Sequence, residues 1–236
     1  MSVLDSCEWS GEARRLMDQI HTLQQGTNAM LFIRHSHRLD GTSWEEIRQL
    51  RLTDEGKKAA EEFGAKLPLD KQFRLYYSPI ERCKETAECF SKGIQNAHGT
   101  VQTIEELKIL GEYLGNGNGI GQLFVRDRKQ FVNFWAANHY DPQIIEPLMN
   151  YSKRTAEITW KLHKTATQPT MDIFVTHDTT ILGLEFGWCG LLRNTFEDWC
   201  GFMGGFVLQL KTEKITMLTQ GKAFECHYPY WNPIRN

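Results

Sequence analysis

Two short, almost wholly apolar runs that stop abruptly at polar clusters constrain this chain most. Ala29-Met30-Leu31-Phe32-Ile33 breaks off at Arg34-His35-Ser36-His37-Arg38, and Asp172-Ile173-Phe174-Val175-Thr176 breaks off at His177-Asp178. Runs this short and without alternation predict strands buried on both faces, as in a sheet covered by helices. Phe73 to Tyr77 and Thr100 to Ile104 predict two more strands. Segments 205–211 and 214–219 alternate more clearly and predict a closing edge hairpin. Helical stripes lie between them. Residues 10–25 carry Ala13, Leu16, Met17, Ile20 and Leu23 on one face, with Ser10 as N-cap and Gly26 as the stop. Further helices are predicted over 53–67, 127–137 and 151–167, and a short one after Asp178. The sum is an α/β fold, a three-layer α/β/α sandwich around a mostly parallel or mixed sheet. No linker-like stretch divides residues 1–236, so they read as one domain, with a small cap or lid insert around 105–150.

Composition removes several classes of function. A formal net charge of −2 gives no reason to expect nucleic acid or an anionic membrane as partner. No apolar run reaches the roughly 18 residues needed to span a bilayer. Asp5, Glu8, Glu12, Arg14 and Arg15 interrupt the region where a signal peptide would need an apolar core. Six cysteines in 236 residues do not make a disulfide framework. Cys83 and Cys89 match no common zinc spacing, so reduced thiols and a cytoplasmic location are expected.

The polar clusters carry the chemistry. Ligands of open α/β sheets bind beyond the carboxyl ends of the strands. Arg34 to Arg38, Ser78 to Arg82 and His177-Asp178 are therefore expected to converge. Ser78-Pro79-Ile80-Glu81 has the form of a capping box, which places Arg82 in the first turn of a helix. Clustered guanidiniums repel one another unless an anion joins them, and a phosphate dianion fits their forks. Nearby cations also hold a histidine neutral, which is its nucleophilic form. Asp178, if protonated, is suited to donate a proton to a departing alkoxide, although it is equally able to cap the following helix. The stretch "GEYLGNGNGIGQ" lacks the Lys-Ser/Thr of a phosphate-binding loop and reads as a mobile loop or lid. The aromatic tail (Phe224, Tyr228, Tyr230, Trp231) reads as a packed terminus, and Trp188 and Trp199 as core or pocket wall.

In these motifs the chain resembles the histidine phosphatase superfamily, and by its His-Asp pair more closely the histidine acid phosphatase branch. Arg34-His35-Ser36 stands where that family has Arg-His-Gly. Arg38 matches a second arginine, "YYSPIERCKETAECF" the segment that supplies Arg82, and "FVTHDTTILGL" the His-Asp motif. The resemblance extends over about 29–211. It implies a phosphoglycerate mutase-like fold and hydrolysis of a phosphomonoester through a phosphohistidine on His35. Arg34, Arg38, Arg82 and His177 would bind the phosphoryl group, Asp178 would donate the proton, and Ser36 and His37 would be possible substrate contacts. The mutase-like branch draws its acid from a glutamate after the third strand. Glu105, Glu106 and Glu112 lie there, but "LKILGEY" fits poorly, so Asp178 is favoured.

No cofactor and no metal are expected, because arginines take the place of a magnesium ion. A phosphorylated small molecule or phosphoprotein in an open pocket is the expected substrate. Two rivals remain: a phosphomutase, and a phospho-ligand-binding protein weakened by serine in place of glycine at position 36.

Overall fold

The computed structural model describes residues 2–193 and 198–234. The strands are β1 (Ala29–Arg34), β2 (Gln72–Tyr77), β3 (Thr100–Glu106), β4 (Thr170–Thr176), β5 (Gly205–Leu210), β6 (Lys214–Thr219) and β7 (Lys222–His227). They form one mixed sheet in the order β3-β2-β4-β1-β5-β6-β7. β1 to β4 run parallel, and β5, β6 and β7 continue the sheet antiparallel. The two runs that broke off so sharply are β1 and β4, neighbours at the centre.

Alternate residues of these strands feed two cores. Leu31, Ile33, Ile173 and Val175 face one layer with Leu16, Phe63 and Phe90; Phe32, Phe174 and Phe206 face the other with Trp160 and Trp188. Tyr76, Phe174, Phe32 and Phe206 stack in a row across four strands, with ring centroids 4.5–5.2 Å apart. The first layer is made by α1 (Val3–Ser6), α2 (Gly11–His21), α4 (Asp54–Ala65) and α5 (Glu81–Asn96). The second is made by α6 (Gly117–Asp127), α7 (Phe131–Ala136), α8 (Leu148–Lys164) and α9 (Asp178–Cys189). α3 (Trp44–Gln49) lies outside both and stacks Trp44 on Phe124 of α6. The α/β sandwich is as expected. No described helix is long and apolar enough to cross a membrane, and all six cysteines are free thiols.

Several local expectations are corrected. Ser10 stands at the N-cap position of α2 as expected, but its hydroxyl does not cap the helix: it donates to Leu4 and Cys7 in the preceding turn, and the helix ends at His21, before Gly26. Ser78 does not cap α5, which starts at Glu81 behind Ile80. The glycine-rich stretch is partly helical. Asn116 caps α6 through Gly119 N–H, and Ile120 and Leu123 are buried, so packing overrides poor propensity. The helix expected over 127–137 is broken at Arg128, whose φ is +45°, and α7 begins only at Phe131. The one expected over 151–167 runs from Leu148 to Lys164. The β5–β6 hairpin is not the edge, because a turn at Gln220-Gly221, both with positive φ, adds β7. Trp188 is core and Trp231 stacks on Trp160, whereas Tyr230 is exposed.

Candidate active site

Strand register builds the site. Arg34 pairs with Thr176, and Tyr77 with Val175, so β1, β4 and β2 end side by side. The bonds continue past the strands: His35 N–H donates to the Thr176 carbonyl at 2.9 Å, and Ser78 N–H to that of Val175 at 3.0 Å. Residues 35, 78 and 177 thus leave the sheet together, although about 140 positions separate the first from the last.

His35 is 2% exposed. Its Nδ1 lies 2.8 Å from the Ser36 carbonyl, which can only accept, so Nδ1 carries the proton. Its Nε2 accepts from Arg82 Nε–H at 2.9 Å. Both contacts require the same neutral tautomer, with the lone pair on Nε2. Burial depresses the His35 pKa well below the usual range, and the charges of Arg82 and Arg34 depress it further. Arg82 has its own pKa lowered by burial to about 10 and remains a cation at neutral pH. Its Nη1 donates to the Ile47 carbonyl of α3 and its Nη2 to His177 Nδ1 at 3.4 Å. His177 Nε2–H therefore points to Ser78 Oγ, 2.9 Å away. Here lies the reason that Ser78 caps nothing. His177 is likewise held neutral, by burial and then by Arg82.

Arg34 and Asp178 form the other half of the cluster. Arg34 Nη2 lies 3.1 Å from Asp178 Oδ2, and its Nη1 donates to the Cys200 carbonyl at 2.7 Å. Asp178 Oδ1 accepts from Thr179 N–H, and Oδ2 also accepts from Trp199 Nε1–H at 3.0 Å. Burial pushes this carboxyl up, but Arg34, Trp199 and the Thr179 amide outweigh it and hold it below the usual range. In this arrangement Asp178 is a carboxylate. The protonated form that the sequence reading requires is not the resting one. Asp178 is the first residue of α9, and His177 stands at the cap position without a side-chain bond to the helix's own N–H groups.

Arg38 comes close enough for Arg34 and Asp178 to act on its charge. Its Nη1 donates to the Leu39 carbonyl and pairs with exposed Asp40 at 3.7 Å. The Nε atoms of Arg34 and Arg38 are buried without a partner. His37 faces a different way: it stacks on Trp9 at 4.9 Å and bonds Thr53. Ser36 is fully buried, and its hydroxyl donates to the Gly56 carbonyl at 2.7 Å in the first turn of α4. A Cβ on Gly56 would run into the His37 carbonyl, so α4 sits directly on this turn. The serine side chain is thus absorbed by packing. Ser36→Gly should cost about 1–2 kcal/mol, from one hydrogen bond and added chain entropy. Turnover should stay within a few-fold of wild type, read by urea unfolding beside kcat/KM.

The sequence reading missed Phe202, whose ring lies 4.3 Å from the Arg34 guanidinium carbon, and the carbonyl contacts of residues 47 and 200. Trp199, left between core and pocket wall, belongs to the wall. Glu105, Glu106 and Glu112 are exposed. His35 and Arg82 are recessed, only 2% and 6% exposed, whereas the side chains of Arg34 and Asp178 are 11% and 24% exposed.

Known proteins share this architecture. YhfR of Bacillus stearothermophilus superposes with a TM-score of 0.56 at 21% identity, covering 83% of this chain and 98% of its own. A mycobacterial glucosyl-3-phosphoglycerate phosphatase complexed with VO3 gives 0.51 at 15%, covering 85% and 98%. Its native form gives 0.50 at 14%, covering 85% and 97%. At these identities the likeness is one of fold, a phosphoglycerate mutase-like one. No curated protein matches the chain. The model of the histidine phosphatase superfamily, branch 1, matches residues 30–203. The leaning toward the acid phosphatase branch, drawn from His177-Asp178, is not confirmed by that match. Because the match takes in well over half of the sequence and every residue of the cluster, the chain belongs to the histidine phosphatase superfamily.

Proposed function

We propose that this protein hydrolyses phosphomonoesters through a phosphohistidine on His35. The observation that carries the reading is the His35 tautomer: Nδ1–H fixed on the Ser36 carbonyl leaves the Nε2 lone pair facing the arginines. In the resting protein Arg82 Nε–H occupies that lone pair. A phosphoryl group draws the guanidinium onto its oxygens and frees Nε2 for in-line attack. The unpartnered Nε atoms of Arg34 and Arg38 are further donors for those oxygens, and His177 joins them when its Nδ1, released by Arg82, takes a proton beside the dianion.

Asp178 changes state with the substrate. A dianion competes for Arg34 and adds negative charge beside the carboxyl, and both effects raise its pKa toward protonation. In the first step the Nε2–P bond forms, the P–O ester bond breaks, and Asp178 gives its proton to the leaving oxygen. The phosphoimidazolium keeps Nδ1–H on the Ser36 carbonyl. In the second step Asp178 takes a proton from water, the new P–O bond forms, and the N–P bond breaks to return neutral His35. Arginine cations supply the charge stabilisation, so chelation by EDTA leaves the rate unchanged in this scheme. The recessed His35 favours a small or extended phosphoester over a bulky one. Free thiols suit a reducing cytoplasm.

Rapid quench with a panel of ³²P-phosphoesters tests the proposal. Release of inorganic phosphate together with a transient, acid-labile label on the protein is the expected outcome. Isomerised product without free phosphate would show a mutase instead. Bound ligand without label or turnover would show a phospho-ligand-binding protein.

A further inference from the structure

The segment 198–204 carries most of what touches the Arg34–Asp178 half of the cluster. Trp199 donates to Asp178 Oδ2, the carbonyls of Cys200 and Gly204 accept from Arg34 Nη1 and N–H, and Phe202 lies against the guanidinium. This segment is itself held from behind. Gly201 N–H donates to Glu12 Oε2 at 2.6 Å, and Glu12 Oε1 accepts from Arg193 Nη1 at 2.9 Å. Arg193 in turn forks onto both oxygens of Glu185, at 2.8 Å each. The side chains of Glu12, Arg193 and Glu185 are 9%, 4% and 1% exposed. A Cβ on Gly204 would collide with the Glu12 carboxyl, so the segment's backbone lies directly on the triad.

Two buried carboxylates around one arginine are an expensive way to gain stability, since desolvation consumes most of the attraction. What such a triad does well is fix one geometry. We infer that Trp199 is a positioning residue for Asp178, and that the Glu12–Arg193–Glu185 triad, acting through the segment it clamps, sets Trp199 there. The catalytic meaning of this inference rests on the phosphatase reading. Asp178 Oδ2 is shared by Arg34 and Trp199, so once a phosphoryl group engages Arg34, the indole N–H is the donor left on that oxygen. It keeps the carboxyl turned to the leaving group and restrains the rise in its pKa.

Among the described residues, six ionisable groups act on Asp178 or feel its charge: Arg34, Arg38, Arg82, His177, Tyr113 and Cys83. The arginines stay charged. Burial pushes Tyr113 and Cys83 up to about 12 and keeps His177 unprotonated, so none of them changes charge where Asp178 titrates. A change at Trp199 is therefore read on Asp178 itself.

The test is a carboxyl-¹³C NMR titration of Asp178 in the full chain, beside pH profiles of kcat/KM with an alkyl phosphate such as β-glycerophosphate, whose departing alkoxide needs the proton. Losing one donor to a carboxylate should raise the Asp178 midpoint in Trp199→Phe by about one pH unit and carry the alkaline limb of kcat/KM up with it. Glu12→Gln should move both in the same direction without touching the pocket; Arg193→Lys, which keeps the charge but loses the fork, is the second probe of the triad. An unmoved midpoint in folded Trp199→Phe overturns the inference. Unmoved midpoints in both triad variants overturn the part assigned to Glu12 and Arg193. A shifted midpoint in a protein that cleaves no phosphoester leaves the positioning intact and removes the phosphatase reading.

Discussion

Replacing His35 by alanine is expected to lower phosphate release by about 10⁴-fold or more, because the nucleophile of a covalent mechanism has no substitute in the pocket. The acid-labile label on the protein should vanish with it. Binding should not. Arg34, Arg82 and His177 keep their places on β1, α5 and the end of β4, so phosphate affinity should stay within about tenfold of wild type, roughly 1.4 kcal/mol. The variant leaves Arg82 Nε–H without its acceptor, at a cost of about 1–3 kcal/mol unless water or ligand replaces it. Bound phosphate should therefore restore part of the lost thermal stability. This split between lost chemistry and retained binding separates a nucleophile from a structural histidine. A His35→Ala protein that still accumulates label would move the phosphoryl acceptor elsewhere and end the mechanism proposed here.

How far the site could be read from the sequence depends on what kind of contact makes it. Arg34, His35, Arg82, His177 and Asp178 announce themselves as polar residues where apolar runs stop, and their convergence follows from parallel strands ending together. Their partners are less visible. The acceptors for His35, Arg34 and Arg82 are the carbonyls of Ser36, Cys200 and Ile47, and a backbone carbonyl has no residue identity to recognise. Ser78 has two uses open to one hydroxyl; a capping pattern is local and easily seen, whereas the histidine that takes the hydroxyl lies 99 residues away. Ser36 stands out as a departure from the family's glycine, yet its meaning lies in Gly56, a residue with no side chain. β7 escaped notice because an edge strand exposes alternate residues and Lys222 to His227 carries few apolar ones. α6 escaped because glycine and asparagine weigh against a helix that only its packing sustains.

The two buried imidazoles also make stability depend on pH in a stated direction. His35 and His177 are held neutral in the folded chain, whereas in the unfolded chain each takes a proton near its ordinary value of 6.5. Below that pH the unfolded state binds more protons than the folded one, so stability rises with pH through this range and falls as the medium is acidified. Each histidine contributes a slope of about 1.4 kcal/mol per pH unit between 6.5 and its folded pKa, so the pair gives about 2.7 kcal/mol per unit. His37 is depressed in the same sense and adds to it. Asp178 enters only lower down: its folded pKa is depressed from 3.8, so its contribution is present above that value and is lost as pH falls past it. Between pH 4.5 and 6.5 the difference between wild type and His35→Asn or His177→Asn isolates each ring, because every other group cancels in the comparison. Urea unfolding across that interval should show each variant losing about half of the steep dependence. Bound phosphate should flatten it as well, since a dianion among the arginines offsets the part their charge adds to burial in keeping the rings neutral. A wild-type slope no steeper than that of the two variants would mean that the rings titrate normally in the folded chain, and His35 would then be imidazolium at mildly acidic pH, without a lone pair to attack with.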